Sequence, residues 1–249
     1  MQLMISVLNV EEAKEAAAAG ANILDVKNPA EGSLGAQFPR VIRQVKNASG
    51  GTVKVSAAIG DMPNLPGTAS LAVLGAAVCG ADYVKVGLFG THTETEAIYL
   101  MSEVRQALCD YPAVAIIAAG YADAERAGTL NPLWLPNIAA SAGISGCMLD
   151  TAVKDGHNLF DFITPEVLRA LAREAHANGL LFGLAGALRE QDLLIIRDLG
   201  ADVAGVRTAV CRDRQRSSPL DAEKVKRLCE IMARPRAEAV PESFTQPPA

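Results

Sequence analysis

The hydrophobic pattern of the chain repeats. Four segments share one order: an alanine-rich or apolar helix end, a glycine, then an apolar strand. They are AAAAGANILDVK (16–27), AAVCGADYVKVG (76–87), AASAGISGCMLD (139–150) and IRDLGADVAGVR (196–207). Their glycines, Gly20, Gly80, Gly143 and Gly200, lie 60, 63 and 57 residues apart. A βα unit takes about 30 residues, so each period holds two and the four periods predict eight. Further apolar runs stand where the remaining strands belong: QLMISVL (2–8), TVKVSAAI (52–59), AVAIIAAG (113–120) and LLFGLAG (180–186). Helical periodicity falls between strands, over Glu11–Ala19, Thr93–Cys109, Pro165–Ala177 and Pro219–Met232. Each repeat glycine is placed to end a helix in the left-handed conformation. Strands alternating with helices imply a parallel sheet, and eight such units imply an α/β fold of the closed (β/α)8, or TIM-barrel, type. An open doubly wound sheet is the alternative, but no G-x-G-x-x-G follows the first strand to support it. Residues 1–232 are thus expected to form one barrel domain. The segment 233–249, rich in proline and poor in apolar residues, is expected to be a disordered tail.

Strand register then sorts the side chains. Counted from each repeat glycine, positions +4 and +6 are Leu24 and Val26, Val84 and Val86, Cys147 and Leu149, Ala204 and Val206. All are apolar and should face the surrounding helices. Side chains alternate along a strand, so the intervening positions face the barrel axis. Those positions carry Asp25, Lys27, Lys85, Asp150 and Arg207 near the C-terminal strand ends. Lysine is rarely buried without a partner, and charges at that end of such a barrel usually perform chemistry. A structural ion network plugging the barrel is the plainer reading. Two neighbouring lysines disfavour each other's protonation, and a lysine so perturbed is a free amine that can form a Schiff base with a carbonyl. From the residues alone, either Lys27 or Lys85 could be that nucleophile. Asp25, two residues before Lys27 on the same face, is placed to move the protons of imine chemistry.

The loops change the picture further. GLAGAL (183–188) and GVRTAV (205–210) follow the seventh and eighth strands, where this fold commonly cradles phosphate. Gly183, Gly186, Gly205, Arg207 and Thr208 are the candidate phosphate ligands, through backbone amides and the guanidinium; ordinary tight turns are the alternative. Lys154, in DTAVKDG after the sixth strand, can reach the mouth and serve catalysis, or else simply face solvent; with its loop it is also the candidate for a second anion site. Arg212, Arg214 and Arg216 read as solvated or as a subunit contact. GSLGA (32–36) reads as a flexible loop able to act as a lid, and Lys54 as a structural residue at the barrel floor. His92, His157 and His176 have no metal-ligand spacing.

Composition mainly excludes. The 249 residues are 50% hydrophobic, with 28 acidic against 23 basic side chains and a net charge of -5. That balance, with 4% aromatic residues, argues against a nucleic-acid partner. No run reaches the ~18 uncharged apolar residues of a membrane span. The five cysteines form no C-x-x-C pair and the N-terminus lacks a signal-peptide pattern, so a reducing cytoplasm is expected. Apolar helices and the arginine-rich loop permit a homo-oligomer.

Several stretches resemble the (5-formylfuran-3-yl)methyl phosphate synthase family: DVKNPAEGSLGA (25–36), GADYVKVGLFG (80–90), AAGYADA (118–124), MLDTAVKDG (148–156) and GVRTAVC (205–211). The likeness runs from about residue 2 to about residue 231. It implies a TIM-barrel lyase of methanofuran biosynthesis that joins two molecules of glyceraldehyde 3-phosphate, expels phosphate and water, and closes a furan ring. It implies Lys27 as the Schiff-base lysine, Lys85 as the proton acceptor, and Asp25, Asp150 and Lys154 as their helpers, with no metal or organic cofactor. Thr208 stands where the family pattern would have glycine, and the arginine-rich stretch to Arg216 is unusual for it. A Schiff-base aldolase releasing an open-chain sugar phosphate, and a non-catalytic barrel binding a phosphorylated metabolite, are the rival readings.

Overall fold

A computed structural model describes residues 1–233. Eight strands alternate with helices along the chain: β1 (Gln2–Val7), α1 (Val10–Ala18), β2 (Ile23–Val26), α2 (Pro39–Ala48), β3 (Lys54–Pro63), α3 (Pro66–Val78), β4 (Tyr83–Gly90), α4 (Glu94–Ala107), β5 (Ala115–Tyr121), α5 (Ala124–Ala127), α6 (Leu135–Ala142), β6 (Gly146–Asp150), α7 (Pro165–Ala177), β7 (Leu181–Leu184), α8 (Glu190–Leu199), β8 (Val203–Val206) and α9 (Ala222–Ala233). The strands pair in parallel and in chain order, and β8 closes onto β1, so the sheet has no edge. This is the (β/α)8 barrel that the repeat predicts. The expected disordered tail falls on residues 234–249, outside the described residues; Ala233 itself closes α9.

Local sequence starts and stops the helices. Asn9 caps α1 by accepting from the Glu12 amide at 2.9 Å, and Thr93 with Glu96 forms a reciprocal capping box on α4. Proline opens α2, α3 and α7, where its missing N–H costs nothing. The four repeat glycines take positive φ, between 66° and 99°, as a helix stop requires.

Strand register divides the apolar side chains into two sets. Leu24, Val26, Val84, Val86, Cys147, Leu149, Ala204 and Val206 all belong to the layer between barrel and helices. Met4, Ile23, Ile117, Met148 and Ala185 fill the barrel floor. Above part of that floor, Leu34, Ala58, Ala119 and Tyr121 form a third, small cluster. Lys54 lies at the N-terminal end of β3, sharing Asp82 with Lys46 at 3.4 and 2.7 Å, which agrees with a structural role at the bottom. Among the described residues no helix is long and apolar enough to cross a membrane.

Two local expectations need correction. The helix expected from Pro219 begins at Ala222, because Leu220 bridges antiparallel to Cys211 and holds the chain extended there. The GSLGA loop is not free: Leu34 is fully buried, and the Ser33 and Leu34 amides donate to Asp61 at 2.8 and 3.2 Å. The Ser33 hydroxyl also donates to the Thr151 carbonyl at 2.7 Å, tying this loop across to the end of β6.

Candidate active site

The C-terminal ends of the strands surround a cavity of about 560 Å3. Asp25 and Lys27 from β2 and its end, Lys85 from β4, Asp150 from β6 and Lys154 from the following loop all line it. The five predicted catalytic residues are therefore brought together. Their charges are arranged unequally. Lys85 Nζ lies 2.8 Å from Asp25 Oδ2, fully inside the barrel, and the Ser6 hydroxyl donates to the same oxygen at 3.1 Å. Lys154 Nζ lies 2.6 Å from Asp150 Oδ1 and 3.1 Å from Thr151 Oγ1, and the Thr151 amide donates to Asp150 at 2.8 Å. Three lysines thus face two carboxylates, and Lys27 is the one left over. It is buried, and its ammonium makes no hydrogen bond or ion pair among the described residues.

Electrostatics follow from that count. Burial, with Lys85 and Lys154 nearby, lowers the Lys27 amine from 10.5 to about 8, although Asp150 and Asp25 oppose the shift. Burial alone would raise the Asp150 carboxyl; Lys154, Lys27 and the hydrogen bonds from Lys154 and Thr151 outweigh it and hold the group ionised. Asp25 is likewise lowered by Lys85 and Lys27 against its own burial. The repulsion expected from Lys85 does act on Lys27, although Lys85 is itself paired with Asp25. The second carboxylate oxygen of Asp25 is buried with no hydrogen-bond partner among the described residues.

Buried carboxylates fix the loops that carry these groups. Asp123, 2% exposed, accepts from the Ala152 and Val153 amides at 2.7 and 2.9 Å and so sets the loop that bears Lys154. Asp61 holds the β2 loop and accepts from the Tyr121 hydroxyl. Burial and the Asp61 carboxylate push the Tyr121 phenol well above its usual value, so it stays a donor. Neither aspartate stands out in the sequence. Each follows a barrel strand or a strand's bend, but nothing local to DMP or YAD announces a loop 28 or 29 residues away.

The predicted phosphate ligands divide. Gly186 and Thr208 lie on the cavity, beside Ala187 and Ala209. Thr208 opens a short 3-10 turn whose first amides have no intrahelical acceptor. Gly186 and Ala187 both take positive φ, 105° and 49°, the second unusual for a residue with a side chain. Gly205 lies within β8, where a Cβ would stand 2.9 Å from Met4 Cε and 3.0 Å from Met148 Cε; it makes room in the floor. Gly183 is corrected: it lies inside β7 against Met148, below the loop, and is not on this cavity. Arg207 also borders the cavity, but its guanidinium is engaged elsewhere. Its guanidinium meets Glu12 at 2.6 and 3.1 Å and donates to the carbonyls of Ser6, Arg216 and Ser218, which occupies all five N–H groups. Conversely, Arg214 and Arg216, read from sequence as solvated or as a subunit contact, line the cavity, Arg214 from an exposed position and Arg216 half-buried. Three arginines directly after the last strand were the available signal. His157 is exposed and pairs with Asp155, and His176 pairs with Asp202 on the surface. Among the described residues no group of His, Cys, Asp and Glu could hold a metal ion.

Comparison with known proteins bears on the fold and the family. Among solved structures, the chain is similar to phosphoribosyl anthranilate isomerase of Thermus thermophilus, with TM-score 0.59, 20% identity and coverage of 94% of this chain and 98% of that one. It is also similar to orotidine 5'-phosphate decarboxylase of Pyrococcus horikoshii, with TM-score 0.63, 18% identity and coverage of 92% and 97%. At such identity these likenesses show the fold alone. Two curated relatives named (5-formylfuran-3-yl)methyl phosphate synthase are far nearer. The one from Methanocaldococcus jannaschii is 48% identical over 233 residues, covering 93% of this chain and 99% of its own. The one from Methanopyrus kandleri is 48% identical over 235 residues, covering 93% and 99%. The model of the 4-HFC-P synthase family matches residues 3–229. Nearly the whole barrel, with every lysine and aspartate of its mouth, falls within that match, and the chain belongs to the 4-HFC-P synthase family.

Proposed function

We propose that this enzyme makes (5-formylfuran-3-yl)methyl phosphate, a methanofuran precursor, from two molecules of glyceraldehyde 3-phosphate through a Schiff base on Lys27. The observation that carries the reading is the buried Lys27 amine, unpaired among the described residues, beside two ion pairs. With its value near 8, about one molecule in ten carries a free amine at pH 7. That amine adds to the carbonyl of the first substrate. Lys85, paired with Asp25, protonates the departing hydroxyl, so water leaves and the iminium forms. Lys85, now neutral, takes the proton from the adjacent carbon, and the electron pair moves into the iminium to give an enamine. The enamine carbon attacks the carbonyl of the second substrate. Release of one phosphate and two waters, counted over the whole reaction, balances two triose phosphates against the furan product without any oxidant. Asp150 and Lys154 move protons in those eliminations. Hydrolysis of the last imine frees Lys27, and aromaticity makes the closing steps irreversible. The amides at Gly186, Ala187, Thr208 and Ala209 cradle one phosphate. No cofactor is required, since the lysine itself serves as electron sink.

Borohydride trapping tests this. Enzyme incubated with glyceraldehyde 3-phosphate and borohydride should carry a reduced triose phosphate adduct on the peptide containing Lys27. An adduct on Lys85 would exchange the two lysines' roles. Bound substrate without any adduct would refute the covalent mechanism and leave the binding-only barrel. An adduct with no furan absorbance in the product would favour the aldolase.

A further inference from the structure

Two phosphorylated substrates need two anion sites, and the amide cradle supplies one. This inference rests on the function proposed above. Lys154 was the other candidate from sequence, but its ammonium is committed to Asp150 and Thr151. The loop after β8 offers a cation that is not so committed. Arg207 holds this loop by the carbonyls of Arg216 and Ser218, at 2.9 and 2.8 Å, while Glu12 neutralises its charge. Asp213 and Arg214 take φ of 54° and 53°, a left-handed conformation unfavourable in residues with side chains. The pinned ends sustain it: the Arg212 amide donates to the Pro219 carbonyl at 2.9 Å, and Ser218 to Gln215 at 3.0 Å.

The result is a guanidinium laid over the mouth. Arg216 Nη2 donates to the Gly32 carbonyl at 3.2 Å, in the loop that leaves Lys27. Arg216 is thus held at its carbonyl by Arg207 and at its side chain by Gly32. One of its five N–H groups is used in this way, and no carboxylate pairs with it among the described residues. A half-buried guanidinium without a counter-charge is unfavourable unless an anion arrives to meet it. Asp150 and Asp61 act on it only through space. Arg214 stands on the same cavity, more exposed. Arg216 reaches across to the β2 loop at Gly32, whereas the amide cradle lies at the ends of β7 and β8. With the first substrate covalently held on Lys27, a second anion site has to lie elsewhere on the same cavity, and Arg214 and Arg216 line it. We propose that Arg216, supported by Arg214, binds the phosphate of the second triose phosphate and so presents its carbonyl to the Lys27 enamine.

The test separates the two substrates. Enzyme is loaded with one equivalent of glyceraldehyde 3-phosphate, then chased with either glyceraldehyde 3-phosphate or unphosphorylated glyceraldehyde. Borohydride quenching at intervals measures how fast the Lys27 adduct is consumed. The native enzyme should consume it 10- to 100-fold faster with the phosphorylated chase, the range expected for loss of one charge-assisted contact. Arg216→Gln should form the first adduct normally, keep the glyceraldehyde rate and lose most of the preference; Arg216→Lys should recover part of it. Arg216→Gln that keeps the full preference overturns the proposal, and so does loss of the first adduct in that variant. A calorimetric titration with inorganic phosphate reads the same site without covalent chemistry: two equivalents for the native enzyme and one for Arg216→Gln support it, and two for both overturn it. Failure of the native enzyme to form any adduct would instead refute the Schiff-base reading, while the phosphate count would still decide the subsite.

Discussion

Lys27 shows at the scale of one residue how function opposes stability. In the unfolded chain its amine keeps the ordinary value of 10.5; in the barrel it falls to about 8. Between those values the unfolded chain binds the extra proton, so this group makes the folded state gain stability as pH rises from 8 to 10.5. Below pH 8 the full penalty of a buried, unpaired ammonium is present. At 1.36 kcal/mol per pH unit the ceiling is ~3 kcal/mol. Lys27→Met keeps the stem's packing and removes the charge. It should abolish adduct formation yet melt at the same or a higher temperature at pH 7, with the advantage shrinking toward pH 10. Thermal unfolding over that pH series checks it; a strongly destabilised variant at pH 7 would show that the lysine is a structural partner. In the native enzyme, single-turnover adduct formation should climb about tenfold per pH unit below 8 and level above it.

At the scale of elements, the strands set which groups meet and the loops set how rigidly. Ser6, Asp25 and Ser56 are successive register partners on β1, β2 and β3, which delivers Asp25 to the floor beside Lys85. The β2 loop descends onto this frame because β4 lacks a side chain at Gly87. A Cβ there would stand 2.5 Å from the Tyr121 hydroxyl, 2.8 Å from the Gly60 carbonyl and 3.0 Å from Leu34. Gly87→Ala should therefore lose about 1–3 kcal/mol through overpacking. In a barrel of this size that is a drop of roughly 2–12 °C in Tm. It should also slow turnover, since Tyr121 would be driven off Asp61 and the β2 loop with it. A variant with native Tm would show that the loop has slack at this point.

The whole molecule carries a net charge of -5, yet nine Lys and Arg against three Asp and Glu line its cavity. A low-dielectric cleft of one sign concentrates anions of the other. For a triose phosphate, kcat/KM should fall several-fold as ionic strength rises from about 10 to 150 mM, where the Debye length shortens to about 8 Å, while kcat stays nearly constant. Steady-state kinetics in sodium chloride check this, and an unchanged kcat/KM would remove steering from the account. Closure also acts at this scale. A chain ending at Leu199 would lack β8 and expose β1 and β7 as open edges, so it should aggregate rather than fold.

The barrel and the facing of its charges are legible in the linear chain. Both depend on local periods, the return of a glycine after each second helix and the two-residue alternation within a strand, and these survive in a linear reading. It therefore placed Asp25, Lys27, Lys85 and Asp150 in one mouth, with Lys154 beside them. Tertiary structure alone decided how those charges pair. Asp25 takes Lys85 from 60 residues away and leaves Lys27 unpaired, a choice set by distances of a few ångströms across the axis. It also decided that Arg207 anchors a loop and Arg216 faces the cavity, since Glu12 lies 195 residues from its partner. Backbone alternation fixes the direction in which a side chain leaves its strand. What a long, flexible side chain finally touches depends on which distant groups closure of the barrel brings within its reach.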